Sequence, residues 1–198
     1  MSEDPSRVND PDATSHDFGQ IKILSDRVVY SNAYGALYDD DVRFPSGKVG
    51  RYIRFVWSAP YSVAVLPILT DGRIVLQKCY RHALREWSIE VVKGFGHEGW
   101  EPEETAAQEL AEEMGLYSES IERITTVVTD PGFVAHPTVL LVAPDCVSTG
   151  NRHLEDTESI LSLAPLDLDA VNELVVGGSV VDAVSLVLIT RYLSAHAR

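Results

Sequence analysis

Apolar residues in this chain fall first into short runs broken by turn formers, and only later into helical spacing. Ile21–Leu24, Arg27–Leu37, Val42–Phe44 and Val49–Trp57 read as strands, the last two separated by the turn Pro45-Ser46-Gly47-Lys48. Together they predict a small β-meander within residues 18–57. Ser62–Thr70 and Arg73–Tyr80 then flank Asp71-Gly72, a strong two-residue hairpin signal. Trp87–Val92 leads into a Gly-rich loop, and Pro102–Met114 follows with helical spacing. Further strands are expected around Arg123–Thr129, Thr138–Val142 and Ser159–Leu163, with helices at Asp167–Val176 and Val180–Ala195. The last helix carries Val180, Val184, Val187, Leu188 and Ile189, and is apolar on more than half its circumference, so it should pack well against a sheet. No internal repeat is visible. Alternating strands and helices predict an α/β (α+β) sandwich for residues 58–198. Residues 1–17 are polar and contain Pro, and are expected to form a disordered tail.

Chemistry concentrates in Gly94–Leu116, GFGHEGWEPEETAAQELAEEMGL. Glu109, Glu112 and Glu113 stand at i, i+3 and i+4 and share about 100° of the helical wheel. Ala107, Leu110, Ala111 and Met114 are expected to pack inward. Three like charges on one face repel, and a divalent cation reverses the sign of that interaction, because Mg²⁺ takes oxygen ligands. Pro102 suits the first helical position, Glu103 and Glu104 complement the positive end of the helix dipole, and Gly115 can end the helix in a left-handed turn. A solvated charged face is the alternative reading of the helix alone. The Gly-rich turn before it favours the metal reading.

Composition narrows the partners. Thirty Asp and Glu against sixteen Lys and Arg give a net charge of −14, which makes a poor generic nucleic-acid binder. Nucleotide phosphates remain accessible where metal ions neutralise the local charge. Cys79 and Cys146 lie in apolar stretches and are too few for a disulfide framework, so buried thiols in a reducing cytoplasm are expected. The acidic N-terminus lacks the apolar core of a secretory signal. The longest apolar runs, Val134–Pro144 and Val180–Thr190, are too short or are interrupted by Pro137 and Asp182 to span a membrane.

With its flanks, the segment resembles the Nudix box: Gly, five residues, Glu, seven residues, then Arg-Glu-aliphatic-x-Glu-Glu-x-Gly-aliphatic. The spacing holds from Gly94 through Glu109-Leu110-Ala111-Glu112-Glu113-Met114-Gly115-Leu116. Trp100 stands at the first Glu position and Gln108 at the Arg position. An acid and a base are thus lost together, and if the two support each other, losing both avoids leaving one charge unpaired. Independent tolerance of change at each position is the alternative. The resemblance extends over residues 20–190 and is greatest to the ADP-ribose or ADP-sugar pyrophosphatase branch. Lys78-Cys79-Tyr80-Arg81, Trp87-Ser88-Ile89-Glu90, Asp130-Pro131-Gly132-Phe133 and Asp156-Thr157-Glu158-Ser159-Ile160 carry the local matches. Val92-Lys93 replaces the branch's usual Pro-Ala, and His136 stands where many members have Glu.

The resemblance implies a Nudix fold, a mixed β-sheet between helices, and Mg²⁺- or Mn²⁺-dependent hydrolysis of a nucleoside diphosphate derivative to AMP and a sugar phosphate. It implies Glu109, Glu112, Glu113 and the Lys93 carbonyl as metal ligands, with Glu113 also catalytic. Glu158 is the favoured general base and Asp156 the second choice; a merely polar loop is the alternative. Tyr34 and Tyr52 match adenine-stacking positions, or are ordinary strand tyrosines. Arg81 would grip phosphate, or pair with Glu86 or Glu90. His136 would contact phosphate, or be incidental. The branch exchanges N-terminal strands in a homodimer, so residues 18–57 are expected to serve dimerisation and base binding. Two rivals stay open: a nucleotide-sensing module that does not hydrolyse, and a pyrophosphatase for another dinucleotide.

Overall fold

In the computed structural model, residues 19–154 and 159–196 are described. The chain divides into two compact units, one running to Ser58 and including Asp130–Ala135, the other formed by Ala59–Thr129 and the chain from His136 onward. In the first unit, β1 (Lys22–Ser25) and β2 (Val28–Ser31) both lie antiparallel to β3 (Gly35–Arg43). β3 pairs along its whole length with β4 (Val49–Trp57), from Gly35 opposite Trp57 to Arg43 opposite Val49. The turn between them is the expected one, with Gly47 at φ 82°. The single run expected over Arg27–Leu37 is instead two strands. Asn32 Oδ1 accepts the N–H groups of Tyr34 at 2.9 Å and Gly35 at 3.1 Å, so its side chain offers the backbone a turn in place of the ladder. Ile23, Val28, Tyr30, Val49 and Ile53 are each more than 50% exposed. Charge pairing holds the other positions: buried Asp40 accepts Arg54 Nε at 2.6 Å, and Arg54 stacks 3.9 Å from the centre of the Tyr38 ring.

In the second unit, β5 (Ser62–Leu69) is flanked by the parallel strand β11 (Val134–Ser148), through Thr138–Cys146, and by antiparallel β8 (Val92–Phe95). β9 (Leu116–Tyr117) and β10 (Glu122–Asp130) also pair with β11. A separate three-stranded sheet has β6 (Gln77–Arg81) between β7 (Glu86–Glu90) and β12 (Ile160–Ser162). The helices are α1 (Pro102–Glu109), continued by a π-helical turn (Leu110–Met114), α2 (Leu168–Val176) and α3 (Ala183–His196). Alternate residues of β5 and β11 supply two cores. Ala64, Leu66, Leu140 and Val142 meet Val171, Leu188 and Ile189 from α2 and α3. Val63, Val65, Leu141 and Ala143 meet Ala106 and Leu110. A mixed sheet between helical layers is thus the architecture, as the alternation of elements predicts.

Three expectations need correction. The Asp71-Gly72 turn forms, with Gly72 at φ 85°, but the strand expected over Arg73–Tyr80 starts only at Gln77. Val75 N donates to Pro67 O, and Pro67 has no N–H to return, so the ladder stops after the Ile68–Ile74 bridge. The Gly-rich loop begins later than expected, because Val92–Phe95 is a strand. Asp182 caps α3, accepting Ser185 N at 2.8 Å, and the helix therefore starts at Ala183 rather than Val180. Both thiols are buried, as expected, and burial pushes Cys79 up to about 12 and Cys146 to about 11. No helix among the described residues is long and apolar enough to cross a membrane.

Candidate active site

The glutamate helix is fixed at both ends by local chemistry. Pro102 takes its first position, and Glu104 reaches back to accept the Glu101 N–H at 2.8 Å. Gly115 ends it at φ 62°, where an added Cβ would lie 2.5 Å from the Asn151 carbonyl oxygen. The buried side differs from the one expected. Thr105, Ala106, Leu110 and Glu113 face inward, whereas Ala107 and Ala111 are exposed and Met114 is half-buried. The reason is that the inward face carries charge with partners waiting for it, not apolar residues alone. Beyond Glu109 the helix continues as a π turn, a form found often at functional sites.

Glu113 is 4% exposed and accepts Gln77 Nε2 at 2.7 Å. Glu109 lies over Gly94, where an ideal Cβ would come 1.8 Å from Glu109 Oε1. That contact requires glycine: the carboxylate occupies the space a side chain would fill. Gly94→Ala is therefore expected to push the Glu109 carboxylate aside and cut metal-dependent turnover by roughly 10- to 100-fold, which steady-state kinetics would check. Glu112 accepts Gln108 Nε2 at 2.9 Å, while its backbone carbonyl accepts His153 N at 3.0 Å. Gln108, standing at the Arg position, thus orients a neighbouring glutamate. At the other departure, Trp100 packs on His97 with ring centres 4.9 Å apart, and its carbonyl accepts the Tyr61 hydroxyl at 2.8 Å.

These donors fit a hydrated divalent cation. No three His, Cys, Asp or Glu side chains among the described residues form a cage by themselves. Mg²⁺ does not require one, since it ordinarily uses one or two carboxylates, water and substrate phosphates. The Gly94 cradle sets the Glu109 carboxylate against the backbone next to Lys93, the residue expected to lend its carbonyl. Gln77 Oε1, buried beside Glu113, has no hydrogen-bond partner among the described residues, and a metal-bound water would supply one.

Other expected residues are placed variously. Arg81 makes a two-pronged pair with buried Glu90, at 2.9 and 2.6 Å, which is the ion-pair alternative. Burial would raise Glu90, but the Arg81 hydrogen bonds and the Lys93 charge hold it below the usual carboxylate range. His136 Nε2 lies 2.8 Å from Ser62 Oγ and its ring meets Phe95 edge-on; burial lowers its pKa and favours the neutral form. In the first unit, Tyr34 is 64% exposed, and Tyr52 donates its hydroxyl to the Gly132 carbonyl at 3.1 Å. Asp156 and Glu158 lie outside the described residues, as does the tail 1–17. Gln77 was not anticipated. Its signal was a polar residue in alternation with Cys79 on the inward side of β6, since a buried amide needs a partner.

Comparison with known proteins agrees with this geometry. The NUDIX domain family model matches residues 59–178. An ADP-ribose pyrophosphatase from Bacillus subtilis (strain 168) is 29% identical over 162 residues, 82% of this chain and 86% of that protein. One from Mycobacterium tuberculosis is 27% identical, covering 92% of this chain and 84% of that protein. A methanol dehydrogenase activator from Bacillus methanolicus is 30% identical, covering 75% and 79%. A crystal structure described as an ADP compounds hydrolase shares the fold at 20% identity, with a TM-score of 0.76 over 90% of this chain and 97% of that one. A family match over more than half the chain, with the glutamates of its motif gathered at Gly94 and Gln77, makes this protein a member of the NUDIX family.

Proposed function

We propose that this NUDIX hydrolase cleaves the pyrophosphate of ADP-ribose or a related ADP-sugar, giving AMP and a sugar phosphate. The observation that carries the proposal is the pairing of Glu109 over Gly94 with Glu113 held by Gln77, in a chain whose relatives are named ADP-ribose pyrophosphatases. Glu109, Glu113, Glu112 and the Lys93 carbonyl would hold Mg²⁺ or Mn²⁺, which neutralises phosphate charge and lowers the pKa of bound water. Gln77 fixes the orientation of the Glu113 carboxylate, and Gln108 that of Glu112. Glu158, or Asp156 after it, takes the proton from the attacking water. Arg81, charge-balanced by Glu90, and His136 contact phosphate, while Tyr34 and Tyr52 stack on adenine. The exposed apolar residues of the first unit support a homodimer built through these strands, and the two buried free thiols suit a protein of the reducing cytoplasm.

A second reading is favoured by Trp100 and Gln108: a NUDIX domain that binds nucleotide without hydrolysing it, the Gln108 amide being engaged on Glu112. Coupled phosphate release from ADP-ribose, ADP-glucose, NADH, dinucleoside polyphosphates and nucleoside triphosphates, with Mg²⁺ or Mn²⁺, separates the two. Metal-dependent turnover of ADP-ribose is the expected result. Turnover of a dinucleotide alone would move the substrate, and silence with calorimetric binding of ADP-ribose would establish the binding module.

A further inference from the structure

A backbone carbonyl has no side chain of its own with which to be aimed, so whatever holds its strand also sets its direction. Around Lys93 that hold comes from the β5 ladder, with Lys93 opposite Ala64, and also from the start of α3, beyond the residues that the family model matches. Lys93 Nζ lies 2.9 Å from Asp182 Oδ1 and also pairs with Glu90 Oε2. Asp182 Oδ2 accepts Ser185 N at 2.8 Å and Ser185 Oγ at 2.6 Å. Ser185 Oγ, fully buried, in turn accepts the Val91 N–H at 3.1 Å. The segment Val91–Lys93 is therefore gripped twice from one helical turn, by its backbone at Val91 and by its side chain at Lys93. Charge balances within the group: Glu90 and Asp182 against Arg81 and Lys93. Glu90 is the buried member, with Lys93 and Asp182 partly buried and Arg81 exposed, so its neighbours compensate one buried carboxylate, and removing a cation would leave it under-compensated.

We propose that Asp182 and Ser185 are positioning residues for the metal site, acting through Lys93 and Val91 on the Lys93 carbonyl. The proposal rests on the reading of that carbonyl as a ligand. Outer partners of metal ligands commonly affect metal affinity by about 10- to 100-fold. Neither residue is among the proposed metal ligands or substrate contacts, so their effect should fall on metal affinity and not on the chemical step.

Mn²⁺ binding to the full chain, titrated without substrate by the spin-resonance signal of free Mn²⁺, tests this, together with the Mg²⁺ concentration giving half-maximal turnover. Asp182→Asn is expected to weaken both by about 10-fold, with kcat at saturating Mg²⁺ within about twofold. Asp182→Glu should recover part of the loss. Lys93→Met should weaken binding similarly, and the double variant Lys93→Met with Asp182→Asn should be no worse than the weaker single, because both act through one link. Ser185→Ala, a smaller change, provides the measurement if Asp182→Asn does not fold. A lowered melting temperature with Mn²⁺ affinity unchanged in Asp182→Asn and Ser185→Ala would overturn the proposal and leave a structural ion pair. If Glu109→Gln and Glu113→Gln also left Mn²⁺ affinity unchanged, the metal-site reading itself would fall. Loss in those two with no loss in the α3 variants would reject the positioning role alone.

Discussion

Glu113→Gln is expected to leave the fold standing and to lower turnover of ADP-ribose by at least about 100-fold, since removing a proposed metal ligand should cost no less than disturbing its outer partners. The replacement keeps the shape of the side chain. The amide oxygen of the new residue can still accept Gln77 Nε2, so the hydrogen bond within the buried site survives. What disappears is the negative charge on a group only 4% exposed. A neutral amide is easier to bury than a carboxylate, so stability should hold or rise slightly. Attraction for a divalent cation has no such substitute. Steady-state kinetics across a range of Mg²⁺, beside a melting curve, checks both halves. Full activity in the variant would remove Glu113 from the site.

The largest stability effect is expected at Leu140, which is fully buried in the core that α2 and α3 close. Leu140→Ala removes apolar atoms and leaves a cavity whose walls relax only partly, at a cost of about 2–5 kcal/mol. For a chain of this size that lowers the melting temperature by on the order of 10 °C. Val176→Ala, at a side chain 79% exposed, should change stability by less than about 0.5 kcal/mol. Urea denaturation of the two variants makes the comparison. Equal effects would mean that Leu140 does not lie in the cooperative core.

Much of this molecule is legible in local sequence, where one or two residues decide the outcome. Pro102 and Gly115 bound the glutamate helix as expected, and Val49–Trp57 forms a strand with the limits read from its pattern. Errors arise where a distant group decides. The helix buries Glu113 because Gln77, 36 positions away, meets it, and no helical wheel contains that partner. Pro67 ends the ladder of the hairpin by lacking an N–H, a fact that matters only once the facing strand is known. The break at Asn32 was visible in principle, since Asn competes with the backbone for hydrogen bonds, but the apolar run around it hid the turn. Motif spacing points to Glu109, Glu112 and Glu113 as the proposed ligands because the three share one continuous helical run. Gln77, Asp182 and Ser185 come from elsewhere in the chain, and local spacing cannot find them.

Because adjacent residues of β5 point to opposite helical layers, this strand acts as a common ruler for both. Losing one residue within Ser62–Leu69 would not damage one side and spare the other. It would exchange the contacts of Val63 and Val65 with those of Ala64 and Leu66, presenting each layer with the other's surface. Divergence in this protein is therefore freer in the length of its turns, as at Gly47 and Gly72, than in the length of its central strand.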